Sequence, residues 1–353
     1  MVNINLNLIL TKMKKILLIS ILTAIISGVF TSCENSDWEF PDFEYSAVYF
    51  AYQSPIRTIV LGEDIFDTTL DNEYKCQIMA TMGGVYQNNS DIEIGIRVDN
   101  SLTDNLVFEN GDDIIPMPSN YYSLSSDKIT IEKGSVLGGV TVQLTDAFFE
   151  DPLSLEANYV IPLVMTGANN VDSILSGTPL VDNPRRGVSD DWDVDPKDYI
   201  LYAVKYINQY DANYLRRGTD EISGAQSGTI DRQTEFIEYN EEVTTISTRS
   251  LNAIAWEHQT RDLDDFARNS TLILTFDDQD NCTITSETDG VTASGTGRFV
   301  LEGDKNSWGE EDRNALFLEY TIDYGDVQFQ ITDTLVVRDR GVKAEWFTTS
   351  LED

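Results

Sequence analysis

Few side chains in this 353-residue sequence are arranged for covalent chemistry. His258 is the only histidine, so a nucleophilic triad has a single base to draw on. Its context, Trp256-Glu257-His258-Gln259, reads as a strand end, where a surface or hydrogen-bonded histidine is expected and a catalytic one is not. With 60 Asp and Glu residues, some pair will meet glycosidase spacing by chance, but no cluster stands out as a paired acid and base. Cys76 and Cys282 lie far apart with no histidine nearby, which excludes a zinc site and leaves two isolated buried thiols favoured over a disulfide. Gly83-Gly84 and Gly138-Gly139 open no helix and read as turn glycines rather than a phosphate loop.

Two groups of residues could bind rather than react. Asp190, Asp191, Asp193, Asp195 and Asp198 crowd one short segment, and hard cations take such oxygens. Asp191, Asp193 and Asp195 are the calcium candidates, but the EF-hand glycine and terminal Glu are missing, which favours a solvated acidic linker. Calcium is the one cofactor considered. Among aromatics, Trp192 and Trp308 sit in polar loops (SDDWDVD and KNSWGEE), and Tyr210 and Tyr214 flank a turn. These four are the candidate glycan-binding residues, because exposed rings stack on flat or apolar ligand faces. Packing against a neighbouring domain is the alternative for the loop tryptophans. Trp256 and Trp346 alternate inside strand-like runs and read as core.

One cysteine carries a different chemistry. Lys14-Lys15, an apolar run from Ile16 to Phe30 and then Thr31-Ser32-Cys33 have the form of a secretory signal ending in a lipobox, with Phe30 where Leu is usual. A spanning helix needs about 20 apolar residues, and Ser20, Thr23, Ser27 and Gly28 interrupt this run. The expectation is a signal peptide over residues 1–32, with Met13 as the natural start, an acylated Cys33 and an acidic tether over residues 33–45. Acyl chains contribute about 0.8 kcal/mol per buried methylene, enough in pairs or threes to hold a protein on a bilayer. Loss of Lys12, Lys14 and Lys15 with the signal takes the net charge from −36 to −39. Such a surface repels nucleic acid and anionic lipid, leaving the lipid anchor as the only membrane contact.

The elements that must position these residues are β-strands. Glu73–Thr81 and Asp91–Val98 alternate apolar and polar residues, Lys128–Ile131 and Val140–Leu144 do so around Lys133-Gly134, and Tyr159–Met165 is apolar throughout. Short strands at this spacing predict an immunoglobulin-like β-sandwich over residues 46–184. Prolines 179, 184 and 196 and the acidic DDWDVDPKD mark a boundary region. Beyond it, Tyr199–Tyr210 reads as a strand buried on both faces, with Ala212–Gly218 as its hairpin partner. Successive strands to Thr348 predict a C-terminal antiparallel β-barrel, lipocalin-like, or a second sandwich, over residues 185–353. Asp262–Asn269 is the one helix candidate of any length. The fold class is all-β.

Tyr49-Phe50-Ala51, Arg57 to Glu63 (RTIVLGE), Leu70-Asp71-Asn72 and Gly83-Gly84-Val85-Tyr86 resemble the N-terminal domain of a group of Bacteroides-type outer-membrane lipoproteins. Lys205-Tyr206-Ile207-Asn208 and Tyr214-Leu215-Arg216-Arg217-Gly218 resemble the C-terminal domain that accompanies it. Members of that group lie beside glycan-uptake genes, and the N-terminal domain also precedes glycoside hydrolase domains. The resemblance implies a non-catalytic outer-membrane lipoprotein facing the exterior, whose partner is a glycan or a surface protein in adhesion or assembly. The group has no agreed binding motif, so it assigns no site.

Overall fold

The computed structural model describes residues 44–233 and 242–352. The acylation candidate Cys33, the signal and nearly all of the tether lie outside them.

Two sheets face each other in the N-terminal half. One orders Ser173–Ile174, Ala47–Tyr49, Lys75–Gly83, Leu137–Leu144 and Tyr122–Leu124. The other orders Glu345–Trp346, Pro55–Val60, Tyr199–Ile207, Tyr159–Asn169, Ile92–Val98 and Lys128–Ile131, with Ile115–Pro116 beside Tyr159–Asn169. The two-residue alternation is the reason: Cys76, Ile78, Ala80 and Met82 from one sheet meet Ile92, Ile94, Ile96, Ile129 and Ile131 from the other in a common core. Gly138 lies inside a strand rather than a turn. A Cβ there would stand 2.1 Å from the Thr130 carbonyl oxygen, so only glycine lets the two sheets approach at this corner.

Tyr199–Ile207 is buried on both faces, as its composition predicts. Ile200, Tyr202, Val204 and Tyr206 enter the sandwich core. Tyr199, Leu201 and Ala203 enter a second apolar layer with Leu106, Ile114 and Val160, over which Phe108 and Phe347 pack. This strand pairs antiparallel with Tyr159–Val164 and parallel with Ile56–Val60, so it belongs to the sandwich. The sequence-based boundary at residues 184 and 185 therefore falls before the sandwich ends. The C-terminal tail also returns to the sandwich: Trp346 pairs with Pro55, and Thr349–Leu351 pairs with Leu106–Phe108.

The barrel occupies the chain between. Ala212–Gly224, Val243–Ser250, Ala253–Arg261, Ala267–Phe276, Asn281–Ser286, Thr292–Asp304, Arg313–Asp323 and Val327–Asp339 form a closed ring of 8 antiparallel strands, with Gly228–Asp231 folded back along the first. Ring closure falls to Ala212–Gly224, which bonds Val327–Asp339 along its length. Ala212–Gly218 thus pairs inside the barrel and not with Tyr199–Ile207. Asn208 turns the chain from one body into the other, its Oδ1 accepting the N–H groups of Tyr210 (3.0 Å) and Asp211 (3.1 Å). The expected helix at Asp262–Asn269 is a turn followed by a strand. Asp262 Oδ1 accepts the N–H groups of Asp264 and Phe266, both at 3.0 Å, a local bond that competes with helix formation.

Arg340 joins the two bodies. Its guanidinium donates to the carbonyl oxygens of Asp211 (2.6 Å), Asn208 (2.6 Å), Glu63 (3.1 Å) and Leu61 (3.3 Å). Burial lowers its pKa from the ordinary arginine value, and the charge of the nearby Asp211 opposes that shift.

Candidate functional site

The four aromatic candidates do not converge. Tyr210 and Tyr214 are buried in the barrel, at 4% and 0% exposure. Tyr210 stacks on Phe276 at 3.6 Å between centroids and donates to Asp280 at 2.8 Å, while Tyr214 donates to the Tyr210 carbonyl at 2.6 Å. Both are core, and the ligand-facing reading is corrected: the turn they flank is an inward one. Trp308 covers Leu215, Ala315 and Val336 on the outside of the barrel, under the Arg313 guanidinium at 3.9 Å. Trp192 donates to the Arg185 carbonyl at 2.8 Å in a small two-stranded sheet with Thr178–Pro179. Each loop tryptophan is thus committed to packing.

The acidic segment is committed as well. Arg185 holds Asp191 through its own N–H at 2.9 Å and its Nε at 3.0 Å, which keeps that carboxyl below its ordinary pKa. Arg186 holds Asp198 through two bonds of 2.9 Å. Asp193 and Asp195 are exposed and turn elsewhere. Among the described residues no group of three or more His, Cys, Asp or Glu could hold a metal, so Asp191, Asp193 and Asp195 are not brought together as a calcium set. Cys76 and Cys282 are free and buried, and burial pushes both thiols up to about 12, far from a reactive thiolate.

His258 is neither at a strand end nor on the surface. It lies inside the barrel at 1% exposure, among Arg216, Tyr320 and Asp333, all of them buried. Arg216 donates from Nε to Asp333 at 3.0 Å and lies 3.1 Å from His258 Nε2 through Nη2. Tyr320 donates to the same Asp333 oxygen at 2.7 Å, and Arg232 to its other oxygen at 2.8 Å. Arginine has no lone pair to offer, so Nε2 accepts and the neutral ring carries its proton on Nδ1. Burial first, then the charges of Arg216 and Arg232, hold the ring well below its ordinary pKa. Closed in on every side, the cluster knits the barrel interior and offers no surface for a substrate.

The exposed aromatic surface lies elsewhere, where the tail meets the sandwich. Trp346 is 55% exposed and Tyr52 59%, and their rings pack at 5.5 Å between centroids, tilted by 47°. The tail is held there by the Phe347 N–H on the Ser54 carbonyl at 3.0 Å and by Lys205 to Glu345 at 2.8 Å. Trp346 also walls a groove of about 650 Å³ whose polar lining is Glu109, Asn110, Asp112, Glu156, Asn158 and Thr348. Phe108 and Phe347 meet edge-on at 5.0 Å within it, and Thr348 donates to Glu109 at 3.2 Å. Alternation placed Trp346 in the core, but its strand is two residues long at the sheet edge, where one face has nothing to cover it. The one signal in the sequence was a Trp between Glu345 and Phe347, followed by Thr348 and Thr349.

Flat rings beside a polar groove can take a ligand with apolar faces and many hydroxyls. The rings stack on C–H faces, while carboxylates and amides accept from, or donate to, the hydroxyl rim.

A family described as Domain of unknown function (DUF5627) matches residues 209–341, which are the barrel. A second family, described as an N-terminal domain, matches residues 43–172. Among curated proteins, none matches the chain. Among solved structures, a protein of unknown function from Bacteroides ovatus is 43% identical over 88% of this chain and 100% of its own, with a TM-score of 0.83. Another from the same organism, also of unknown function, is 13% identical over 86% of this chain and 100% of its own, with a TM-score of 0.39. A third, described as a candidate carbohydrate-binding protein of Bacteroides ovatus, is 14% identical over 87% of this chain and 98% of its own, with a TM-score of 0.26, too low to bear on function. By its 43% identity to the first of these, the chain belongs to a Bacteroides two-domain family of unknown function, an N-terminal sandwich carrying a DUF5627 barrel.

Proposed function

We propose that the protein is a non-catalytic lipoprotein, anchored through Cys33 to the outer membrane and facing the exterior, that captures glycan on the Tyr52–Trp346 surface. The observation that carries this reading is the exposed ring pair of Tyr52 and Trp346 joined to a groove lined by carboxylates and amides. Isolated exposed aromatics are ordinary on protein surfaces; two in contact, one of them on the wall of a polar groove, are the arrangement a sugar face needs.

A glycan array with residues 34–353 tests the reading against host and dietary polysaccharides. Trp346→Ala and Tyr52→Ala are each expected to weaken binding at least tenfold, about 1.4 kcal/mol. Both rings are more than half exposed, so Tm should stay close to that of the unsubstituted protein. Silence across the array overturns glycan capture. Release of reducing sugar, abolished by Glu156→Gln, overturns the non-catalytic part. Adhesion to a surface protein is the second reading. Tyr122–Leu124 ends one sheet and Lys128–Ile131 the other, and such edges can accept a strand from a partner.

A further inference from the structure

Resting on the glycan-capture reading, we infer that the Tyr52–Trp346 surface takes neutral glycan chains and rejects those bearing carboxylate or sulfate groups. The sign of the lining is the reason. A second groove of about 460 Å³ adjoins the first, and both are walled by Phe347 and Thr348 of the tail. The first presents Glu109, Asp112 and Glu156, the second Asp190, and no Lys or Arg lines either one. Glu109, Asp112 and Glu156 are exposed, so they face whatever occupies the first groove.

Lys343, three residues before Trp346 along the chain, is exposed but lines neither groove, and Arg57, next to the groove residue Ile56, is paired with Asp71. Arg185 and Arg186 are paired with Asp191 and Asp198, and Lys205 with Glu345. The cleft between the bodies, by contrast, is lined by Arg313, Arg338 and Arg340 beside its acids. The molecule thus has arginine-bearing clefts, and the groove beside the ring pair is not one of them. A hydroxyl can donate to a carboxylate at no electrostatic cost. A uronate or sulfate in the same place meets like charge at contact distance, with no cation in the groove lining to offset it. The net charge of −39 on residues 34–353 adds a long-range repulsion of the same sign.

The test is a matched pair: the neutral polysaccharide that scores highest on the array, and the same chain with its primary alcohols oxidised to carboxylates. Titration calorimetry of residues 34–353 is expected to give at least tenfold weaker binding for the oxidised chain. The gap should narrow as salt rises from 0.05 to 0.5 M, since the Debye length shortens from about 14 Å to about 4 Å. The triple variant Glu109→Gln, Asp112→Asn, Glu156→Gln is expected to bind the oxidised chain more tightly than the unsubstituted protein does, while Trp346→Ala weakens both chains. Equal or tighter binding of the oxidised chain by the unsubstituted protein overturns the inference and leaves glycan capture standing. Binding of neither chain overturns glycan capture itself.

Discussion

Between two guanidinium groups and out of reach of water, His258 fixes how the protein responds to mild acid. Its folded pKa lies well below the ordinary value of 6.5, first because burial disfavours the charged ring and then because Arg216 and Arg232 repel it. The unfolded chain therefore binds a proton that the folded one refuses. Stability is full above about pH 6.5 and falls as pH drops toward the folded pKa, by up to about 1.4 kcal/mol per pH unit. Asp71 and Asp211, whose carboxyls burial holds above their ordinary range, act in the opposite sense. Because the chain has no other histidine, His258 is the one ring whose protonation contributes to the slope between about pH 6.5 and 5.5. His258→Gln, whose amide oxygen can still accept from Arg216, should flatten that slope in denaturant titrations across the same range. At this scale the sequence is only partly legible. Sidedness along a strand can be read from spacing, and Trp256 is core as its alternation says. What cannot be read is whether anything covers the other face, and that is why Tyr210 and Trp346 exchanged the roles their contexts suggest.

Strands were legible as strands; their partners were not. Period-two alternation marks Lys75–Gly83 and Ile92–Val98 without reference to the rest of the chain, because the pleat alone imposes it. Pairing of Tyr199–Ile207 with Ile56–Val60, or of Glu345–Trp346 with Pro55–Ile56, depends on residues brought together only by the whole fold. The tail is the element on which both the second apolar layer and the candidate site rest. Phe347 packs on that layer and meets Phe108 edge-on, so Phe347→Ala should cost about 2 kcal/mol, less than a fully buried Phe because the side chain is only half-buried. It should also weaken glycan binding by loosening Trp346 next to it, although residue 347 supplies no exposed ring. Urea unfolding followed by tryptophan fluorescence reads the first effect and calorimetric titration the second.

For the molecule as a whole, the two bodies are coupled through Arg340. Replacing it by Met leaves the carbonyl oxygens of Leu61, Glu63, Asn208 and Asp211 without their donor, a loss of about 3 kcal/mol or more. Scanning calorimetry should then separate the sandwich and barrel into two transitions where the unsubstituted protein shows one. The anchor makes a prediction of its own: Cys33→Ser should move the protein from the membrane fraction to the soluble one with both bodies folded. Retention in the membrane fraction would overturn the lipid-anchor reading. The return of the tail to the sandwich has a consequence for biogenesis. Tyr52 precedes the barrel and Trp346 follows it, so the whole barrel is synthesised between them. A nascent chain, or one from which a protease has removed Trp346, has no ring pair, so on the glycan-capture reading it should take up no ligand however completely its sandwich and barrel have folded.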